Sequence, residues 1–266
     1  YKVIYNQEKN KYEATDKEKY KNGEVVYFNV DNGTKCTSSE AVSTTGTKSG
    51  CMKFYAFNDD GGDTLNLMLD HNTTSLVAWN KTYKNDSGSI INANGPKEVL
   101  DQLKNDTDGW KGTITPTNYT MDQTRQTSNT KYIIDYSSYK ARLITAQEIA
   151  TITGNTSWDE EKEENSNYYY LDSKTTSQSS TCKSRDTSGC SYGWLYDRTN
   201  TSCTESGCLN NSDQKTSGYW TISSRAAYMN AAWYVSSGGF VYAGIVGNVD
   251  RYGVRPVITV LKSKLS

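Results

Sequence analysis

Short strand-like runs separated by turn residues constrain the fold of this chain more than any other feature. Residues 24–36, EVVYFNVDNGTKC, are rich in β-branched and aromatic side chains and contain an Asn-Gly turn. Residues 51–79 predict three strands joined by turns, and the leucines at alternate positions from 65 to 69 mark one core-facing edge. Further strands are predicted at 218–221, 231–235, 240–244 and 252–260. The pattern therefore favours a fold dominated by β-sheet meanders.

Two segments predict helices. In 95–106, GPKEVLDQLKND, Pro96 suits the first helical position. The apolar stripe of this helix consists of Val99, Leu100 and Leu103. The second helix follows the strand-like run ARLIT. There, Thr145 with Glu148 forms a capping box, and Gly154 can adopt the left-handed conformation that ends a helix. Its core-facing residues are Ile149 and Ile152. Two helices among many strands predict the α+β class.

The chain predicts one domain, since no internal repeat and no linker between two cores is visible. Residues 1–22 are charged and show little periodicity, which indicates an extended lead-in or the remnant of an upstream stalk. The domain is expected to extend from 23 to 266. Residues 155–217 are polar and loop-like, so we expect long excursions pinned by disulfides in this part of the chain.

The six cysteines form three pairs that are close in sequence: Cys36 with Cys51, Cys182 with Cys190, and Cys203 with Cys208. Six cysteines allow 15 connectivities, but each of these local pairs would close a loop rich in Ser, Thr and Gly. In the chain-entropy model each closure is worth about 2 to 3 kcal/mol. Zinc is the alternative, yet the sequence has no CxxC motif and only one histidine. Disulfides imply an oxidising compartment and a secreted or surface-displayed protein.

Charge and hydropathy exclude two classes of partner. The formal net charge is -1, with 29 basic and 30 acidic residues mixed along the chain, so no basic field exists for nucleic acid. No apolar run approaches the roughly 18 residues of a membrane helix, and the first residues lack the pattern of a signal peptide. We expect no direct membrane insertion of this chain, with any anchor or export signal lying outside it.

Catalytic chemistry has little support in the sequence. A Ser/His/Asp or Cys/His arrangement could be built only around His71, which we interpret as a surface turn residue. The carboxylates in 59–63 and 159–164 lie in polar loops, where they are expected to be solvated. The sequence DDGGD could hold calcium but lacks the alternate-residue spacing of a calcium loop. Gly238 and Gly239 belong to a predicted hairpin turn rather than a phosphate loop. No enzyme activity, cofactor or metal is expected.

Aromatic and amide residues are concentrated between 219 and 252. The aromatic residues there are Tyr219, Trp220, Tyr228, Trp233, Tyr234, Phe240, Tyr242 and Tyr252. Rigid amphipathic rings beside small polar groups are the composition of a binding surface, as in antibody loops. The alternative is that the rings fill the core, and this is the expected role of Trp220 and Trp233.

The sequences GYWT, AWYV and YGVRPVITV together resemble the C-terminal half of bacterial C-type-lectin-fold proteins, including the variable proteins of diversity-generating retroelements. KFYAFNDDGGDTLNLML and ARLITAQEI are similar to upstream elements of these domains, so the resemblance covers about 23 to 262. It implies a C-type lectin fold with mixed and antiparallel sheets. It also implies a fixed scaffold that displays diversified, ligand-contacting residues in a variable region of about 223 to 252.

The resemblance divides the C-terminal segment into fixed and variable positions. The fixed pattern is matched by Ala232, Trp233, Val235, Gly239, Val241, Val246, Gly253, Val254, Arg255 and Pro256. The candidate ligand-binding residues are Arg225, Tyr228, Asn230, Tyr234, Ser236, Ser237, Phe240, Tyr242, Ala243, Ile245, Asn248, Asp250, Arg251 and Tyr252. The residues in the variable slots from Tyr234 onwards can be reached from an asparagine codon by changing adenines alone, a test that most amino acids pass. Trp220, Met229 and Trp233 cannot, so they are expected to be fixed. Tyr228, Phe240, Tyr242 and Tyr252 are the expected aromatic anchors, and Asp250 and Arg251 would supply charge selectivity.

Two departures from related families argue against calcium-dependent sugar binding and against a formylglycine-generating activity. The sequence has neither the Glu-Pro-Asn or Gln-Pro-Asp loop nor the Trp-Asn-Asp triplet of calcium-dependent lectins. Formylglycine-generating enzymes use C-terminal cysteines, whereas Cys208 precedes the last strands. The leading hypothesis is an extracellular or cell-surface, adhesin-like binding protein for a protein or glycan on another cell, a phage or a host. A pilin-like or adhesin structural subunit is the alternative, and an enzyme of the formylglycine-generating type is a third.

Overall fold

The structure is a computed structural model. It describes residues 3–6, 11–14, 19–42, 44, 46–74, 76–82, 95–122, 131–160, 168–182, 189–196, 218–226, 228 and 230–266. Within these residues the chain is an α+β protein with two helices and mostly antiparallel sheets, as predicted. Disulfides join Cys36 to Cys51 and Cys182 to Cys190, which confirms two of the three predicted pairs. The third, Cys203 with Cys208, lies outside the described residues.

The described elements follow one another along the chain in this order: β1 (Val3–Asn6), β2 (Lys11–Ala14), β3 (Val25–Asn29), β4 (Thr34–Lys35), β5 (Cys51–Phe57), β6 (Thr64–Leu69), α1 (Glu98–Thr107), β7 (Thr113–Ile114), β8 (Tyr119–Asp122), β9 (Lys131–Ile134), α2 (Ala146–Thr153), β10 (Tyr169–Tyr170), β11 (Gly218–Ser224), β12 (Ala231–Ser236), β13 (Phe240–Ile245), β14 (Tyr252–Gly253) and β15 (Val257–Leu261). Short 3-10 helices span Gly193–Tyr196 and Lys262–Lys264. β1 pairs with β2 and β8 with β9 as separate hairpins, so part of the predicted lead-in at 1–22 is a β-hairpin.

The larger sheet has the strand order β4-β3-β5-β6-β15-β7, and all its pairs are antiparallel. Its β3–β4 hairpin turns at Asn32 and Gly33, as predicted, and Gly33 has a φ of 77°. A Cβ atom on Gly33 would lie 2.7 Å from the backbone nitrogen of Gly112, so this close approach also requires glycine. The predicted third strand is wrong, because residues 76–79 form no strand, although the Val77 N–H donates to the carbonyl of Tyr252 in β14.

Both helices lie where the sequence predicts them. α1 begins at Glu98, so Pro96 precedes the helix instead of occupying its first position, but the apolar stripe is buried as expected. α2 is capped by Thr145, whose Oγ1 accepts from the Glu148 N–H at 2.9 Å while the Glu148 carboxylate accepts from the Thr145 N–H. The helix ends at Gly154 with a φ of 68°, which confirms the predicted left-handed stop. Neither helix is long or apolar enough to cross a membrane.

The second sheet has the order β10-β13-β12-β11-β14, antiparallel except for the parallel pair β11–β14. The predicted hairpin turn at 236–239 is confirmed: it joins β12 to β13, and Gly239 has a φ of 84°. The single strand predicted at 252–260 instead divides at Arg255 and Pro256 into β14 and β15, which belong to different sheets. Proline has no N–H for a strand ladder, so this division falls where pairing would fail.

The two sheets share two hydrophobic cores. One core contains the α1 stripe, Trp79, Trp110 and Trp220. The other contains the apolar face of α2 with Trp158 and Trp233. Alternate residues of β6 and β12 enter different cores, because successive side chains of a strand point to opposite faces. Trp220 and Trp233 are at most 1% exposed, so their predicted core role is confirmed. Both faces of the second sheet are therefore largely covered, and candidate contact residues are confined to its edge and loops.

Candidate ligand-binding face

The residues that match the fixed pattern form a buried framework. Each of the ten, from Ala232 in β12 to Pro256, is buried. At the start of β13, Val241 is 0% exposed and lies between the half-buried Phe240 and Tyr242, which is 38% exposed. The pleat explains this pattern at 240–242. Further along the strand Gly244 is buried and Ile245 is exposed, so the alternation does not continue.

Four rings lie together at the β10–β13 edge of the second sheet, and we call them the aromatic face: Tyr168, Tyr170, Phe240 and Tyr242. The Tyr168 ring centroid lies 5.5 Å from that of Tyr242 and 5.9 Å from that of Phe240. The Tyr170 centroid lies 5.4 Å from that of Phe240. These contacts are edge-to-face, the geometry that aromatic pairs prefer. Tyr168 and Tyr242 are more than a third exposed, and the other two are half-buried, so the face combines mutual support with access to solvent.

Two members of the aromatic face were not among the sequence-predicted residues. Tyr168 precedes β10 and Tyr170 ends it, about 70 positions before β13 in the chain. The sequence feature that could have indicated these two residues is the triple tyrosine at 168–170. In an extended segment the outer two rings share one side and the middle ring takes the other, and Tyr169 is indeed buried in the α2 core. What the sequence could not show is that this segment pairs with β13.

Tyr234 and Tyr252 are placed in the core rather than at an accessible surface. Their ring centroids are 4.1 Å apart, and that of Tyr252 is 4.4 Å from that of Trp220. A Cβ atom on Gly244 would lie 2.7 Å from the Tyr252 ring, so the ring packs directly on that glycine. Burial raises the pKa of both phenols. The sequence predicts Tyr252 as an exposed anchor; the structure uses the ring to fill the space beside Trp220.

The other predicted contact residues do not form one surface. Ala243 packs towards the α2 core, on the opposite face of β13 from Tyr242, and Ile245 pairs with Ala231 at the far end of the strand, 48% exposed. Ser236 is buried and its Oγ accepts from the Gly238 N–H at 3.0 Å. The half-buried positions are Asn230, Ser237 and Asn248. The exposed positions besides those above are Tyr228, Asp250 and Arg251.

Arg225 lies among aromatic rings beside this face. Its guanidinium carbon is 3.9 Å from the ring centroid of Tyr228, 5.3 Å from that of Trp233 and 6.0 Å from that of Tyr242. Distances of this size are those of cation–π contacts. Burial lowers the pKa of Arg225, and the neighbouring tyrosines oppose that shift. Arg225 is only 7% exposed, so the structure places it as a support beneath Tyr228.

The residues that were considered for catalysis or metal binding are buried, hydrogen-bonded or joined in a disulfide. His71 is fully buried, not a surface turn residue as expected, with Nε2 3.0 Å from the Thr47 carbonyl; burial lowers its pKa. Asp59, of the DDGGD loop, accepts from the Tyr20 N–H and from Lys262 Nζ at 2.7 Å, so its oxygens are already engaged. Potential ligand atoms of Asp172, Cys182 and Cys190 lie within 4.8 Å of one another, but the two sulfurs form a disulfide and offer no thiolate.

A buried carboxyl joins α2 to the second sheet. Glu160 Oε2 accepts from Ser223 Oγ at 2.5 Å and from the Gln147 N–H at 2.9 Å, and Oε1 accepts from Tyr119 Oη at 2.7 Å. The Ser223 oxygen accepts in turn from the Ala146 N–H at 3.0 Å. Together with Thr145 these groups satisfy the first three N–H groups of α2. Despite the three donors, burial raises the pKa of Glu160.

The raised pKa of Glu160 predicts a pH dependence of stability. The folded chain keeps this carboxyl protonated to higher pH than the unfolded chain. Its contribution is therefore complete below the ordinary glutamate pKa of about 4.3 and declines as pH rises through the raised value. Urea unfolding between pH 4 and 7 should show the free energy of unfolding of the wild type falling relative to that of Glu160→Gln. Glu24→Gln, at an exposed position, controls for the loss of one carboxylate. Parallel curves for wild type and Glu160→Gln would contradict the assignment.

The comparisons with known proteins identify no relative. No protein-family model matches the chain, and neither the curated proteins nor the solved structures contain a significant match. The function is therefore argued from the residues and their geometry.

Proposed function

We propose that this chain is an extracellular or cell-surface binding protein that uses the aromatic face to contact a protein ligand. In this proposal the domain of residues 23–266 has a C-type lectin fold, and the segment of about 223 to 252 is diversified as in the variable proteins of diversity-generating retroelements. Two disulfides and the α+β architecture are compatible with that setting.

The observation that carries the proposal is the alternation of accessible and buried side chains at 240–242, at the start of β13. Its fixed-pattern residue Val241 is fully buried, while the variable positions Phe240 and Tyr242 present rings at the surface beside Tyr168. Tyrosine supplies a large, rigid contact area at low entropic cost, and small polar groups beside it adapt to the ligand. Ser237 is half-buried in the turn that leads into Phe240, so a small polar group adjoins the rings.

The alternating framework also explains how such a site could change without loss of the fold. Substitutions at exposed positions usually alter the free energy of unfolding by less than about 0.5 kcal/mol. Removing a buried aliphatic side chain costs about 2 to 5 kcal/mol. Variation restricted to the accessible positions would therefore alter specificity while the buried positions preserve the fold.

A pair of randomised libraries tests the proposal. One library varies Tyr168, Ser237, Phe240 and Tyr242. The control library varies exposed positions elsewhere, namely Val25, Val42, Ile133 and Leu261. Both are displayed on phage and selected on immobilised egg-white lysozyme. We expect most members of both libraries to resist proteolysis, and lysozyme binders of micromolar or better affinity to come from the first library.

Three outcomes would overturn parts of the proposal. Equal recovery of binders from both libraries, or collapse of the first library into protease-sensitive chains, would remove the aromatic face as a recognition surface.

The coding DNA tests diversification separately: we expect an imperfect template repeat matching codons 223 to 252 near a reverse transcriptase. Without such a repeat the diversification claim fails while the binding face stands. Concentration-dependent self-association abolished by Phe240→Ser with Tyr242→Ser would instead support the structural-subunit alternative.

A further inference from the structure

We propose that the Cys182–Cys190 disulfide is the positioning element of the aromatic face, so that its reduction loosens the β10–β13 edge while the rest of the fold stays intact. The proposal deepens the proposed function and rests on it for its consequence in binding. The local structural effect can be measured without a ligand.

The first link runs from the disulfide to the turn of the β12–β13 hairpin. The Sγ atom of Cys182 lies 3.3 Å from Tyr196 Oη. The Tyr196 ring supports Gly239, because a Cβ atom at that glycine would lie 3.1 Å from Tyr196 Cζ. Gly239 directly precedes Phe240, the first ring of the aromatic face in β13. A shift of Tyr196 therefore reaches the start of β13.

The second link runs from the disulfide to β10. Asp172 Oδ2 lies 3.2 Å from Cys182 Sγ, and Asp172 Oδ1 accepts from the Ser191 N–H, next to Cys190, at 2.5 Å. The preceding residue, Leu171, donates its N–H to the Gly239 carbonyl at 3.0 Å. The disulfide and Asp172 thus bind both sides of the loop to the end of β10.

Few other contacts anchor the described part of this excursion, 172–182 and 189–192, where the only buried side chain is that of Cys182. Tyr192 packs on the α2 core and its Oη donates to the Thr153 carbonyl at 3.2 Å, and backbone hydrogen bonds join Lys174 and Thr175 to Tyr170. The other contacts of 173–181 are mostly hydrogen bonds of exposed Ser and Thr side chains with nearby backbone groups or with one another. Exposed polar contacts of this kind belong to the least stable parts of proteins, so the disulfide is the principal constraint here.

The chemical step is a thiol–disulfide exchange. A dithiol such as dithiothreitol delivers two electrons and two protons to the Cys182–Cys190 bond, giving two thiols, and leaves as its own cyclic disulfide. The other described disulfide, Cys36–Cys51, lies in the larger sheet, where Cys51 begins β5 and pairs with Asn29. It therefore provides an internal comparison within the same chain.

Amide hydrogen exchange on three forms of the full chain tests the proposal: wild type, Cys182→Ala with Cys190→Ala, and Cys36→Ala with Cys51→Ala. Loss of the 182–190 bond should accelerate exchange at least tenfold at Tyr170, Leu171 and Gly239, with no change at Leu69, whose N–H donates to the Pro256 carbonyl. Loss of the 36–51 bond should instead accelerate exchange at Val42, whose N–H donates to the carbonyl of residue 51, and at the backbone amide of position 36.

Reversible reduction covers the case in which the first variant does not fold. In a chain that keeps only Cys182 and Cys190, with the other four cysteines replaced by Ala, dithiothreitol should accelerate the same three amides, and reoxidation should restore their protection, with the thiol state read by mass spectrometry after alkylation. Uniform acceleration across the chain, or none at β10, would overturn the proposal. For a lysozyme binder from the first library, reduction and alkylation, with the dithiothreitol removed before lysozyme is added, should weaken affinity at least tenfold. Unchanged affinity with loosened amides would remove only the link to binding.

Discussion

Replacing Arg255 with methionine should lower the free energy of unfolding by about 3 to 5 kcal/mol, because three backbone carbonyls would lose a buried donor. The Arg255 Nε donates to the Leu69 carbonyl at 2.6 Å, and Nη2 donates to the carbonyls of Asp70 and Trp194 at 3.1 and 2.8 Å. The side chain is fully buried, with its guanidinium carbon 5.2 Å from the Tyr219 ring centroid. Urea unfolding followed by tryptophan fluorescence measures the loss.

Two further variants define what Arg255 contributes. Arg255→Lys keeps the charge but lacks the planar fork that reaches three carbonyls, so we expect a smaller loss of stability that is still above 1 kcal/mol. Arg251→Met removes the same chemical group four residues earlier at an exposed position and should change stability by no more than about 0.5 kcal/mol. Similar losses at 251 and 255 would show that the buried hydrogen bonds do not hold the sheets together.

Local patterns in the sequence were sufficient to predict most of the regular structure. The β3–β4 and β5–β6 hairpins have turn residues between alternating runs, and α2 has both of its caps written within ten residues, from Thr145 to Gly154. The five apolar residues in 254–261 also predicted a strand correctly in part. Pro256 favours a strand start or an unpaired position at this point, but the division into two sheets depends on which distant strands are available for pairing, β11 on one side and β6 on the other.

The candidate site was less predictable for a related reason. Accessibility at Tyr252 depends on whether Trp220 and Gly244 leave a space for its ring, and neither lies near it in sequence. Tyr168 and Tyr170 became part of the aromatic face only through pairing of β10 with β13. His71 was expected in a surface turn, yet the segment after β6 passes beneath other residues and is buried. Long-range packing thus decides these cases, whereas periodicity describes only the strand itself.

Tyr252→Ala should mainly lower stability, whereas Tyr242→Ala should mainly weaken binding, although the sequence predicts both rings as ligand contacts. Tyr252 is 4% exposed and packs against Trp220 and Tyr234, so its truncation would leave a cavity and lower the free energy of unfolding by about 3 to 5 kcal/mol. Tyr242 is 38% exposed, so its truncation should cost about 1 kcal/mol or less.

The effects on binding are measured in a selected lysozyme-binding chain that retains Tyr242. Tyr242→Ala should reduce affinity at least tenfold without unfolding, because the ring belongs to the accessible aromatic face. Tyr252→Phe keeps the packed ring. Its affinity should stay within a factor of about three of the parent chain, and its free energy of unfolding should fall by less than about 1 kcal/mol. Calorimetry of unfolding and surface binding assays on the same preparations give both quantities. If Tyr252→Ala folds normally and loses binding, Tyr252 is a contact residue and the division between buried framework and accessible face is misplaced at β14.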